Sequence, residues 1–245
     1  MNQTQFSCDI EQHAVLFGLM AKTVFERWPE SGEQTIRACV RAYGSQRGGR
    51  MAARCLANGD PLTPRNYQAY NERSSRPGQM NSVPAQKEPE FVIHVQKCAW
   101  VDAWRQHGLL EYGKYYCLDI DKTLTRSFSP DYEVQINGLM SWGEPYCDMH
   151  WGFPMDAENE RYIQEKRASL ASGSILNYDY HTGHLFSTMT EELQKLLREA
   201  GVEAARDALT EFCKTFSAGY VRSFAAAYPL TEPSAKLCRA VLEDA

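Results

Sequence analysis

FVIHVQKCAWVDAWRQHGLLEYGKYYCLDIDKTLTRSFSPDYEVQINGLMSWGEPYCDMHWGF occupies residues 91–153, and its reading decides the fold. Phe91 to Gln96 is rich in β-branched and aromatic residues and reads as a strand. Ala99 to Gln106 reads as a short helix ending at Gly108. Glu111 to Phe128 reads as a longer helix, stopped by Ser129-Pro130. Tyr132–Ile136 and Tyr146–Phe153 follow as two strands joined by a turn around Trp142-Gly143-Glu144-Pro145. The order strand, helices, strand, strand predicts an α+β fold. An antiparallel sheet of a few strands would pack against N- and C-terminal helices in a single domain, 1–245.

Outward from this core (91–153), the flanks read as helical over 8–58 and 157–245. Ile10, Ala14, Phe17, Ala21, Val24 and Trp28 recur every three or four residues and predict one apolar helical stripe, ended by Pro29. Ser31-Gly-Glu-Gln34 has the form of a helix N-cap. The helix it starts should stop at Asn58-Gly59-Asp60-Pro61. Residues 71–90 are polar and rich in Pro, Ser and Gly, and read as an exposed connection. Near the C-terminus, helices are expected over Ala157–Ala171, from about Thr182 to Ala200 with Gly201 as the break, and over Val202–Tyr228. Ser172 to Asp179 should be a loop or short strand.

Composition narrows the function classes. The chain has 245 residues and a net charge of −5, with no basic block, so no nucleic-acid partner is expected. No apolar run reaches the roughly 20 residues of a membrane span. The N-terminus carries no basic-then-apolar export pattern. Eight cysteines without an export signal point to reduced thiols in a cytoplasm. The terminal helices could supply the surface of a homo-oligomer.

The segment between Cys98 and His150 concentrates reactive groups. Cys117 and Asp121 are four apart on one helix face, the spacing of a nucleophile and its base. A carboxylate alone raises a thiol pKa, so Cys117 would need further help to become a thiolate. Cys98, Cys117 and Cys147 together admit three readings: inert core, nucleophile, or ligands of a divalent metal such as zinc. Asp148 and His150 point away from Cys147 on an alternating strand, which argues against a Cys147–His150 pair.

Two other stretches carry candidates. Gly44, Gly48 and Gly49 would let a second element approach the helix backbone, and Arg47 and Arg50 flank them. The arginines are either solvated or grip a substrate carboxylate. Tyr178-Asp-Tyr-His181-Thr-Gly-His184 places two histidines three apart at a helix start. They could serve as bases oriented by Asp179 or a tyrosine, bind a metal, or cap the helix at the surface. Trp104 and Tyr178 are candidate substrate contacts, though aromatics such as Trp100, Trp104, Tyr115 and Tyr116 also suit core packing.

Four stretches in order resemble the L-2-amino-thiazoline-4-carboxylic acid hydrolase family. They are IRACVRAYGSQRGGRMAARCLANG followed by NYQAYNE, then KCAWVDAWRQHGLLEYGKYYCLDIDKTLTRSFSP, GEPYCDMHW and YDYHTGHLFSTM. Cys98, Cys117, Cys147, Asp121, His181 and His184 fall on the pattern, whereas Ala99 stands where proline is common. The resemblance implies ring-opening C–N hydrolysis of a small cyclic amidine or amide. Cys117 would be the nucleophile, assisted by Cys98, Asp121, His181 and His184. A small-ligand sensor without turnover is the alternative.

Overall fold

The polar stretch between the helical N-terminus and the core contains a strand that its composition hides. In a computed structural model describing residues 6–170 and 174–243, β1 spans Met80–Gln86 and β2 spans Val92–Cys98. β3 spans Gln135–Gly138 and β4 spans Cys147–His150. All pair antiparallel in the order β1-β2-β4-β3. Residues 71–90 are therefore not simply a connection. β1 is an edge strand, exposed along nearly its whole length. It accommodates Pro84, which lacks a ladder N–H and is tolerated at an edge. The α+β class and the antiparallel sheet of a few strands stand as read from the sequence.

Ten α-helices are described. They are α1 Ile10–Arg27, α2 Gly32–Ala57, α3 Pro64–Ala69, α4 Ala99–Gln106 and α5 Leu110–Phe128, then α6 Ala157–Ser169, α7 Tyr178–Leu197, α8 Glu199–Thr215, α9 Ala218–Ala227 and α10 Glu232–Glu243. A 3-10 turn over Met140–Trp142 precedes Gly143, whose φ of 99° is the left-handed value glycine adopts without strain. Among the described residues, no helix is long and apolar enough to cross a membrane.

The chain forms two compact units, and α2 and α5 contribute residues to both. The first contains Met1–Tyr43, Trp100–Tyr116 and Asn177–Ala245. Here α1 packs against α7 and α8, and α10 against α7, α8 and α9. The apolar stripe expected on α1 is too narrow a description: from Gln12 to Ala21 every residue is buried. A helix buried on all sides lies inside a bundle. Asp9 at its start donates its backbone N–H to Gln12 Oε1 at 3.0 Å. The break between α7 and α8 falls at Arg198, whose φ is 59°, and not at Gly201. Gly201 lies inside α8 because a Cβ there would come within 2.2 Å of the Leu193 carbonyl oxygen. The long helix expected over Val202–Tyr228 is two, because Ser217 caps a new one by accepting the Gly219 N–H at 3.1 Å. Trp104, fully buried, donates its indole N–H to the Ala14 carbonyl at 2.7 Å. It is a core residue, not a binding surface.

The second unit contains Gly44–Ala99 and Cys117–Leu176. It holds the sheet, α3, α6 and the later halves of α2 and α5. Gly48 explains how closely those two helices approach. A Cβ there would meet the Leu124 carbonyl oxygen at 2.4 Å, and one at Gly44 would press on Thr123 at 3.0 Å. Gly49 faces open space. α6 starts at Asp156, which accepts the Asn159 N–H at 2.8 Å. The end of the predicted helix at Ala171 and the start of the predicted loop at Ser172 lie outside the described residues.

Candidate active site

The second unit brings together four of the residues singled out from sequence. Cys98 ends β2, Cys147 opens β4 opposite Val95, and Cys117 lies in α5 one turn before Asp121. The three sulfurs sit close enough to feel one another electrostatically. Burial pushes the Cys117 thiol well above its ordinary range, and the neighbouring Cys98, Cys147 and Asp121 push the same way, against the opposing influence of the nearby Ser141 hydroxyl. Burial pushes Cys147 up to about 11, against the Met140 N–H, which donates to its sulfur at 3.4 Å. Both therefore rest as neutral thiols near pH 7, and neither is a preformed thiolate. Among the described residues, no group of three or more His, Cys, Asp or Glu side chains is arranged to hold a metal ion, Cys98, Cys117 and Cys147 included.

Two residues from the segment read as a linker complete this unit. Arg73 Nη2 lies 3.5 Å from Asp121 Oδ1. Glu72, fully buried, accepts two parallel hydrogen bonds from Arg50, at 2.8 and 2.9 Å. Arg47 Nε is 3.8 Å and Arg54 Nη2 3.7 Å from the same carboxylate. Arg47, Arg50 and Arg54 recur at helical spacing on α2, so one face of the helix presents all three. The fork of Arg50, a candidate grip for a substrate carboxylate, is thus engaged by the protein's own carboxylate. Three cations around one anion leave the foursome with an excess of two positive charges.

This cluster makes a stability prediction. Replacing Glu72 with glutamine keeps the shape and removes the charge that balances fully buried Arg47. Breaking a buried ion pair from one side costs about 3–5 kcal/mol. Urea unfolding of the variant should show a loss of that size, and Arg47→Met added to it should restore part of the loss. A change below about 1 kcal/mol would show that the arginines do not depend on Glu72.

The histidines of the YDYHTGH stretch belong to the first unit, and they are not surface caps. Asn177 caps α7, accepting the Tyr180 N–H at 2.9 Å, so the helix begins at Tyr178. His181 and His184 are each only 1% exposed. Gly183 between them brings α7 against the end of α9, where a Cβ would lie 2.6 Å from the Phe224 carbonyl oxygen. The ring of His184 stacks on Tyr228 at 4.9 Å and meets Tyr43 at 4.8 Å. Tyr178 packs on His181, Trp100 and His13 at 5.8–5.9 Å. Asp179 lies in the first turn of the same helix. Its carboxylate accepts from Ser7 Oγ at 2.8 Å, the Cys8 N–H at 2.7 Å and Ser223 Oγ at 2.8 Å, which ties the N-terminus to α9.

The sheet holds a further network that the sequence reading passed over. Asp148 Oδ1 lies 3.5 Å from His94 Nε2 and 3.4 Å from His150 Nε2. His150 Nδ1 is 3.2 Å from Glu90 Oε2. The His94 ring stacks on Tyr146 at 3.9 Å. His94 and His150 fall on the same face because His94 pairs with Asp148 and Val92 with His150 across antiparallel strands.

The model of the L-2-amino-thiazoline-4-carboxylic acid hydrolase family matches residues 9–151, well over half of the chain, which belongs to this family. The family's name denotes hydrolysis of a thiazoline carboxylate. The matched residues include Arg47, Arg50, Glu72, Arg73, Cys98, Cys117, Asp121 and Cys147; His181 and His184 lie beyond them. No curated protein and no solved structure matches the chain.

Proposed function

We propose that this protein opens the ring of a small cyclic amidine or amide carrying a carboxylate, a thiazoline carboxylate or a close analogue, by C–N hydrolysis. The observation that carries the reading is the placement of Cys117 and Asp121 on one face of α5, beside Cys98, Cys147 and Arg73 and within the family match.

The chemistry follows from the resting state. A neutral thiol attacks only as it loses its proton, so the base must act in the same step. Asp121 takes the Cys117 proton as sulfur bonds to the amidine carbon. The ring C–N bond then breaks, and the departing nitrogen receives that proton. Water adds to the same carbon, the bond to Cys117 breaks, and the thiol regains its proton. The net change is one water consumed, and a thiazoline ring yields a linear thiocarbamate. Arg73 fixes which way Asp121 faces, and the surplus positive charge around Glu72 favours an anionic substrate.

The direct test is to incubate purified protein with L-2-amino-thiazoline-4-carboxylate and with cyclic amides of similar size. Mass spectrometry should find a product heavier by one water, formed in proportion to enzyme. Saturable binding of these compounds with no product would instead establish a sensor, and this reading would fall.

A further inference from the structure

Outside the thiol cluster, the second unit contains a cavity of about 700 Å³ between the end of α2 and the end of α6. Its charged lining consists of two cations, Arg54 and Lys166, and no acidic side chain lines it among the described residues. Asn58, Tyr70, Ser169 and Ser174 supply the remaining hydrogen-bonding groups.

Both cations are held in place from behind. Arg54 donates Nη1 to the Ser174 carbonyl at 3.1 Å and Nη2 to the Tyr70 carbonyl at 3.0 Å. Lys166 Nζ lies 2.9 Å from both Asp60 oxygens, and Asp60 in turn accepts from the Tyr70 hydroxyl. The bond to Asp60 raises the Lys166 pKa, so its charge persists at neutral pH. Each cation also lies in the last turn of its helix, where a positive charge is favoured in any case. The helix ends do not explain why both converge on one polar cavity. A guanidinium and an ammonium on the wall of one cavity have an oxyanion as their natural complement.

We propose that this cavity is a binding site for a small oxyanion, a phosphate or a carboxylate, gripped by Arg54 and Lys166. Preorganised donors lower the ordering cost of binding, which makes millimolar or tighter affinity attainable for so small a ligand. The site shares Arg54 with the Glu72 cluster, whose carboxylate lies 3.7 Å from Arg54 Nη2, and it is tested without turnover.

Calorimetric titration with inorganic phosphate, and separately with acetate and succinate, at constant ionic strength set by chloride, should reveal one saturable site per chain. Whichever anion binds more tightly identifies the source. Lys166→Gln should weaken that binding at least tenfold. Ser174→Asp, which leaves both cations in place and adds a carboxylate to the wall, should do the same. Circular dichroism should show both variants folded. Absence of saturable binding by any of these anions, or wild-type affinity in both folded variants, would overturn the proposal and leave the two cations as partners of the helix ends.

Discussion

Replacing Cys117 with alanine is expected to abolish ring opening, with a fall in kcat on the order of 10³-fold or more, the scale seen when a covalent nucleophile is removed. The protein should still fold. The change removes one sulfur and should cost about 1 kcal/mol of stability, within the ordinary range for single substitutions. The control is the pair Cys98→Ala and Cys147→Ala. Both thiols influence Cys117 electrostatically, but neither shares a helix face with Asp121, so each variant should keep most of its turnover. Asp121→Asn should impair the reaction without changing the fold, because the thiol then has no base to take its proton. The pattern matters more than any single number. Full activity in Cys117→Ala with loss in Asp121→Asn would remove the covalent step and leave Asp121 activating water directly. A Cys117→Ala protein that turns over normally beside an active Asp121→Asn would remove the site altogether.

The residues that define this site differ in how readable they were. Cys117 and Asp121 could be paired from sequence because helical spacing is a local property, and α5 runs nearly as its pattern predicts. Glu72 and Arg73 could not. They sit in a polar stretch with no periodicity, and their partners on α2 and α5 are up to 48 residues away. Ion pairing across such separations leaves no local trace. The YDYHTGH histidines show the opposite error: their spacing was legible, but their burial among Tyr43, Tyr178 and Tyr228 was not. A histidine on a helix looks the same in sequence whether it faces water or a core.

The fold divides along the same line. β4 was visible through the alternating burial of Cys147 to His150, and β2 through its run of β-branched residues. β1 was invisible because an edge strand exposed on both faces needs no alternation, and Met80–Gln86 carries a proline that argues against a strand. The boundary between α8 and α9 was legible in principle, since Phe216-Ser217-Ala-Gly offers a capping serine. The continuous amphipathic helical pattern from Val202 to Tyr228 masked it.

Alkaline pH should unfold this protein unusually early, and the reason lies in its buried thiols. Burial pushes Cys39 and Cys238 up to about 12 and Cys147 to about 11, and raises Cys8 and Cys117 as well. Each folded-state value stands above the ordinary thiol value of 9.0. The folded protein therefore holds protons that the unfolded chain releases. Such a group contributes its full stability below pH 9 and loses it as pH rises through the folded-state value. Each thiol changes stability by about 1.4 kcal/mol per pH unit in that window. Several acting together multiply this slope, against a total stability of about 5–15 kcal/mol for an ordinary domain. Folding should then fail within about two pH units above 9, although nothing in the backbone has changed. Circular dichroism during a titration from pH 8 to 12 should show cooperative loss of helix in that interval. Cys39→Ala provides the internal check. It should be slightly less stable than wild type at pH 7 because it leaves a small void. Its stability should then fall less steeply with pH, by about 1.4 kcal/mol per unit, so the two curves converge or cross on the alkaline side. Parallel curves for the variant and the wild type would mean that Cys39 ionises no differently in the folded core than in the open chain.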